Sequence, residues 1–386
     1  MGAKILVVDD EPDLELLITQ KYRKKIRDKE LEFIFASNGI DALSKLNGTH
    51  DIVVVVTDIN MPEMDGLTLL GKLNVEYPLM KSVIVSAYGD MANIRTALNR
   101  GAFDFLTKPI DFQDLDITLD KTVQQAQLHR RAVNDHDRLV AIGSELDIAR
   151  NIQQAILPQH FPSFPGHKEF DLYANMTPAR KVGGDFYDYF MLDDEHLGFA
   201  IGDVSGKGIP AAIFMAVSRT SLRAIAMRGL SPDSCLQEMN DLLQAENKTQ
   251  MFVTVFYGIL NIRTGLLRFS NAGHTSPYLL GKDGAVRQLE ITGNFVIGAL
   301  AGTNYSSKEL HLRPGESIVL YTDGVTEAMN PIEEQFSEAR LADCLTVCDQ
   351  LSSREIVQNV IGTVTEFAKD GAQYDDITVL ALKYVP

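Results

Sequence analysis

Two patterns of apolar spacing divide the chain. Over residues 1–120, short apolar runs at 4–8, 31–36, 52–56, 82–86 and 104–106 alternate with stretches of helical period such as 12–27 and 40–46. Val53, Val54, Val55 and Val56 are all β-branched, as expected of a strand buried on both faces of a parallel sheet. Strand alternating with helix is the βαβ signature, and it predicts an α/β doubly wound, flavodoxin-like first domain. Residues 158–386 carry a different pattern. Short alternating runs at 197–201, 252–262, 266–270, 317–321 and 377–384 come in groups, with helical patterns at 209–227, 232–246 and 353–369 between them. That segregation predicts an α+β layered domain with antiparallel sheets.

Residues 121–157 join the two blocks. They hold no Gly-Pro cluster and only Gly143 as a breaker, which predicts a helical linker rather than a flexible tether. Leu139, Ile142, Leu146, Ala149 and Ile156 follow steps of three and four, with Gln153 at the missing position. This is a coiled-coil seam interrupted by one polar residue, and it predicts a homodimer through the linker helix. An amphipathic helix docked on the next block is the alternative. Leu157-Pro158 ends the helix, because proline disfavours helix in the residue before it.

Composition adds limits. The 386 residues are 45% hydrophobic and 23% charged, ordinary for a globular chain with a sizeable core. The longest apolar stretches fall far below the roughly 20 residues that span a bilayer, and no leader pattern opens the chain, so no membrane role and a cytoplasmic location are expected. Three cysteines make no disulfide framework; buried thiols are expected. The net charge of −16 argues against a nucleic-acid partner. It is uneven: the first block carries −7, the linker +1 and the second block −10. Many of the carboxylates fall where apolar runs end, which suggests cation binding.

In the first block, Asp9-Asp10 follows the first run, Asp58 the third, Ser86 the fourth and Lys108 the fifth. In doubly wound folds ligands bind beyond these strand ends. Crowded carboxylates select a hard divalent cation, and an aspartate beside it can attack phosphorus. The stretches VVDDEP (7–12), TDINMPEMDG (57–66), SAYGD (86–90) and FDFLTKPI (103–110) resemble a response-regulator receiver domain. The resemblance implies that Asp58 is the phosphoacceptor. It also implies that Asp9, Asp10, Asp58 and the Asn60 carbonyl hold Mg2+, while Ser86, Lys108 and Phe105 read the phosphorylated state.

In the second block, carboxylates sit beside glycines in GGDFYDYF (183–190), IGDVSGKGIP (201–210), YTDGVTEA (321–328) and YDDITVLAL (374–382). Separated aspartates without a nearby basic partner could share two divalent metals and hydrolyse a phosphomonoester. The set, with the leader ELDIARNIQQAILPQ (145–159) and NAGHTSPYLL (271–280), resembles the metal-dependent PPM (type 2C) serine/threonine phosphatases, in their SpoIIE-like branch. The resemblance implies a β-sandwich fold and two Mn2+ or Mg2+ ions. Asp203 would bridge both metals, with Asp185 and the Val204 carbonyl completing one site and Asp323 and Asp375 the other. Asp376 is the alternative to Asp375. No counterpart of the phosphate-binding arginine of eukaryotic members is present; Arg180 and Lys181 are candidates. His274 could act as a general acid, though a loop histidine bonded to backbone is commoner.

The domains expected are therefore a receiver (1–120), a helical linker (121–157) and a phosphatase domain (158–386). Together they predict a two-component response regulator whose output is metal-dependent dephosphorylation of a phosphoserine or phosphothreonine protein. Family resemblance points to a phosphorylated anti-sigma-factor antagonist (a STAS protein) as substrate and a sensor histidine kinase as phosphodonor. The alternative is a non-enzymatic adaptor that binds a sigma factor or anti-sigma regulator through the phosphatase-like domain. Retention of every matched aspartate favours hydrolysis.

Overall fold

The computed structural model describes every residue except Met1, His50, Tyr88, His160, Pro162, Ser163, Pro165, Glu246 and Asp370, so Tyr88 of the 86–90 motif lies outside the described residues. Two compact units result, Met1–Ile142 and Gly143–Pro386.

The first unit holds five parallel strands: β1 (Ala3–Val8), β2 (Leu31–Ala36), β3 (Ile52–Asp58), β4 (Lys81–Ala87) and β5 (Asp104–Lys108), in the order β2-β1-β3-β4-β5. Alternate side chains feed two separate cores. Ile5, Val7, Val54 and Val56 pack with Ile18, Leu115 and Leu119 on one face. Leu6, Val8 and Val55 pack with Leu46, Leu69 and Leu73 on the other. Both faces are apolar, which is why 52–56 carries no polar residue. The expected doubly wound fold is present, and because every pairing is parallel the carboxyl ends share one edge.

The second unit is a β-sandwich. Its strands are β6 (Phe170–Thr177), β7 (Phe186–Met191), β8 (His196–Val204), β9 (Val253–Asn261), β10 (Leu266–Ala272), β11 (Tyr278–Leu280), β12 (Val286–Gln288), β13 (Lys308–His311), β14 (Ser317–Tyr321) and β15 (Ile377–Tyr384). They form two antiparallel sheets, β13-β10-β9-β8-β7 and β12-β11-β14-β15-β6. Phe199, Ile201, Leu320, Leu380 and Leu382 share the interior core with Met215 and Leu236 from the helices Ile209–Ala226 and Pro232–Ala245. The alternate residues Val319, Tyr321, Val379 and Ala381 pack outward on the helix Ser353–Ala368, which a Ser352/Glu355 capping box starts. Strand β7 was hidden in the sequence because Asp188 interrupts its apolar pattern. Asp188 is fully buried, and Arg219 Nε at 2.9 Å and Arg223 Nη1 at 3.1 Å compensate its charge. The helix Ile209–Ala226 that carries both arginines is long and apolar enough to cross a membrane by composition, yet Ala211, Met215 and Leu222 on it belong to the core.

The linker is part of one 45-residue helix, Phe112–Ile156, which Gly143 does not interrupt. Its opening turns belong to the first unit: Leu115, Leu119 and Ala126 are in that core, and Arg130 Nη2 donates to the Ile52 carbonyl at 2.6 Å. Its closing turns belong to the second, where Gln153 is buried. The unit boundary at Ile142–Gly143 thus falls inside the helix rather than at 120 or 157. The expected seam divides in the same way. Leu139 and Ile142 are exposed, whereas Leu146, Ala149 and Ile156 are half-buried.

Two carboxylate clusters as candidate functional sites

In the first unit Asp9 and Asp10 follow β1, Asp58 closes β3 and Lys108 closes β5. Oxygens of Asp9, Asp10 and Asp58 lie within 4.8 Å of one another. Lys108 Nζ stands among them, 2.6 Å from Asp58 Oδ2, 3.0 Å from Asp9 Oδ2 and 3.0 Å from Glu11 Oε1. Burial works against the Lys108 ammonium, but hydrogen bonds to Asp58, Glu11 and Asp9 outweigh it and hold its pKa above the ordinary range. Burial raises Asp9, against the Glu11 N–H and Lys108, which lower it. The Asn60 N–H donates to Asp58 Oδ1 at 3.3 Å. The buried Ser86 donates to Asp90 Oδ2 at 3.4 Å, and Phe105 is half-buried on β5. Three converging carboxylates with mutual repulsion fit a hard divalent cation.

The second cluster is built by strand register. Phe186 pairs with Gly202, which places Asp185, just before β7, beside Asp203 near the end of β8. In the facing sheet Tyr321 pairs with Val379, which brings Asp323, just after β14, to the Asp375-Asp376 doublet before β15. Gly324 is required here, because a Cβ would lie 2.0 Å from the Asp376 carbonyl oxygen. Asp185 is fully buried and takes hydrogen bonds on Oδ2 from Thr322 Oγ1 (2.7 Å) and Thr378 Oγ1 (2.6 Å). Burial, then the charges of Asp203 and Asp376, hold its pKa well above the carboxylate range. Asp203 is pushed up to about 7 by burial and by Asp323, against a hydrogen bond with Asp185. Asp323 is raised by burial, Glu327 and Asp375. The Val204 carbonyl faces Gly184. Carboxylates that raise one another in this way fit divalent metals.

The doublet separates by partners. Asp376 is buried, and its oxygens accept from the backbone N–H groups of Ala179 (2.8 Å), Gly184 (2.6 Å) and Asp185 (3.3 Å). Asp375 is partly open, and Lys207 Nζ lies 2.7 Å from its Oδ2. The expectation that no basic group lies near these aspartates is therefore corrected: the GKG turn after β8 curls back to them. Lys181 pairs with Asp147 instead. His274 is buried, with Nδ1 2.8 Å from Thr254 Oγ1, and burial pulls it down to about 3. The sequence suggests Thr322 as a support of the metal loops, and its bond to Asp185 fits that; sequence reasoning missed Thr378 as a second partner of Asp185. It also missed Gln153, whose amide donates to the Gly183 carbonyl (2.7 Å) and accepts from the Gly183 N–H (3.0 Å).

Two family models match: the response regulator receiver domain over residues 5–120 and Stage II sporulation protein E (SpoIIE) over residues 193–385. Asp185 precedes the second span. Protein IcfG of Synechocystis sp. is 33% identical over 266 residues, 62% of this chain but 41% of IcfG, so the chain spans less than half of that relative. Phosphoserine phosphatase RsbU of Bacillus subtilis is 31% identical over 277 residues, 70% of this chain and 80% of RsbU. Among solved structures, the SiaA-PP2C domain of Pseudomonas aeruginosa superposes with a TM-score of 0.57 at 25% identity, covering 64% of this chain and 98% of that domain.

Proposed function

Since this chain belongs to the SpoIIE family and carries a response-regulator receiver domain ahead of it, we propose that it is a receiver-controlled, metal-dependent phosphatase acting on a phosphoserine or phosphothreonine protein. One observation carries the reading: carboxylates from the ends of two facing sheets converge and raise one another's pKa, Asp203 to about 7. Asp203, Asp185, Asp323, Asp375 and the Val204 carbonyl would hold two Mn2+ or Mg2+ ions. These would supply Lewis acidity toward a water nucleophile and the phosphoryl group. Asp375 is the ligand rather than Asp376, whose oxygens are committed to backbone amides. Thr322 and Thr378 orient Asp185, and Gln153 fixes the glycine turn before it.

In the receiver, Asp58 accepts the phosphoryl group from a sensor histidine kinase, with Asp9, Asp10 and Asn60 holding Mg2+. Lys108 is placed to neutralise the incoming charge, and Ser86 and Phe105 register it. RsbU is a phosphoserine phosphatase by name, and that likeness supports a phosphoserine protein as substrate; the family resemblance points further, to a phosphorylated anti-sigma-factor antagonist. The exposed Leu139 and Ile142 offer the helix Phe112–Ile156 a homodimer seam in the cytoplasm. The test is manganese-dependent phosphate release from a phosphoserine protein. Wild type should release it, and Asp203→Ala should lose about 10³-fold or more in kcat. Wild type that is inert with both metals would favour the adaptor reading.

A further inference from the structure

The acidic cluster of the second unit explains hydrolysis better than it explains binding. A phosphomonoester is a dianion, and the residues that converge on this site are aspartates. Metal ions would offset the aspartates and polarise the phosphoryl group, and a cationic side chain beside them adds a grip on a remaining oxygen; three candidates lie nearby. Lys181 is spent on Asp147. Arg180 is exposed and comes near Gly208, with no ion pair among the described residues. Lys207 alone reaches a carboxylate of the cluster, with Nζ 2.7 Å from Asp375 Oδ2, and it also donates to the Tyr374 carbonyl at 2.5 Å.

Its placement is built into the chain. Lys207 lies between Gly206 at φ 88° and Gly208 at φ 79°, both in the left-handed region that a side chain disfavours. This paired turn directs residue 207 across to the opposite sheet's loop. Its side chain remains 41% exposed, so the ammonium stands at the mouth of the cluster rather than sealed within it. A cleft of about 180 Å³ opens beside it, lined also by Glu327, Ala328, Ala368 and Tyr374.

We propose that Lys207 grips a non-bridging phosphoryl oxygen of the substrate and so takes the role for which no arginine is present. The proposal rests on the phosphatase reading above. An ammonium at the rim of an acidic site gives a phosphoryl dianion a charge-assisted hydrogen bond that the aspartates cannot.

The experiment compares wild type, Lys207→Met, Lys207→Arg and Arg180→Met at saturating Mn2+. Turnover of a phosphoserine peptide and of p-nitrophenyl phosphate is measured, and inorganic phosphate binding is titrated by calorimetry. Lys207→Met should raise KM and weaken phosphate binding by about 10-fold or more, and Lys207→Arg should restore most of both. Unchanged phosphate binding in Lys207→Met overturns the proposal, whether or not kcat falls. So does a loss confined to Arg180→Met. Absence of manganese-dependent turnover in wild type defeats the phosphatase reading instead, and phosphate titration of wild type against Lys207→Met still decides the role of Lys207.

Discussion

The two acidic clusters use the same residue type at the same kind of place, strand ends, and differ in where the positive charge stands. In the receiver, Lys108 lies inside the group and touches Asp58, Asp9 and Glu11 within 3.0 Å. Its ammonium is stabilised there, and it offsets part of the carboxylate charge from within. In the second unit the cation is peripheral: Lys207 reaches Asp375 alone, while Asp185 and Asp203 are buried against each other with raised pKa values. A lysine inside the group can neutralise a phosphoryl group as one aspartate accepts it covalently. A cluster whose lysine stands at the rim leaves its inner carboxylates to external cations, and thus to hydrolysis through water. Location of charge, more than count of carboxylates, separates the two proposed chemistries.

The largest expected effects break the second cluster into its parts. Asp375→Ala should lower turnover by about 10³-fold with little change in stability, because Asp375 is partly open and holds no backbone amide of the glycine turn. Asp376→Ala should cost about 3 kcal/mol of stability, since the N–H groups of Ala179, Gly184 and Asp185 lose their acceptor. Denaturant unfolding and steady-state kinetics on the two variants check the division. Equal stability losses would erase the distinction between ligand and clamp.

A smaller effect tests the receiver cluster. Wild type should take up one phosphoryl group from a small phosphodonor, and Asp58→Ala none, as read by intact-protein mass. If the receiver controls the output, the donor should change wild-type turnover by about 5- to 150-fold and leave Asp58→Ala unchanged. Equal rates throughout would uncouple the two clusters.

How far the sequence anticipated this arrangement depends on the distance between partners. Val53–56 announced a strand buried on both faces, and carboxylates beside glycines marked both rims, because such signals are local. The split of Asp375 from Asp376 was not legible, since Asp376 finds its partner in Gly184, 192 positions away. Thr378 on Asp185 and Gln153 on Gly183 were hidden for the same reason: a hydroxyl or amide acquires a role only when register brings a buried acceptor to it. Strand β7 escaped because its central Asp188 looks exposed until Arg219 and Arg223, one turn apart on a distant helix, are seen to pair with it. That the receiver's last helix and the linker are one element was not legible, because a single unbroken helical pattern serves both cores.

The smallest expected effect compares the clusters by pH. A carboxyl whose folded pKa is raised above its unfolded value contributes stability that is complete below the unfolded pKa and is lost as pH rises through the folded one. For Asp203 that window runs from near 3.8 up past about 7, and Asp185 works in the same direction. In chelator, thermal stability of the second unit should therefore fall between pH 5 and pH 8. Asp203→Asn should flatten the fall, and saturating Mn2+ should reverse it, because cations favour the ionised form. The receiver should respond less. Asp9 is raised too, but Lys108 holds that rise down and, charged across the whole interval, adds no slope of its own. Calorimetric scans at several pH values, with and without Mn2+, would show whether the slope belongs to the cluster that lacks an internal cation; a fall unaffected by Asp203→Asn would place it elsewhere.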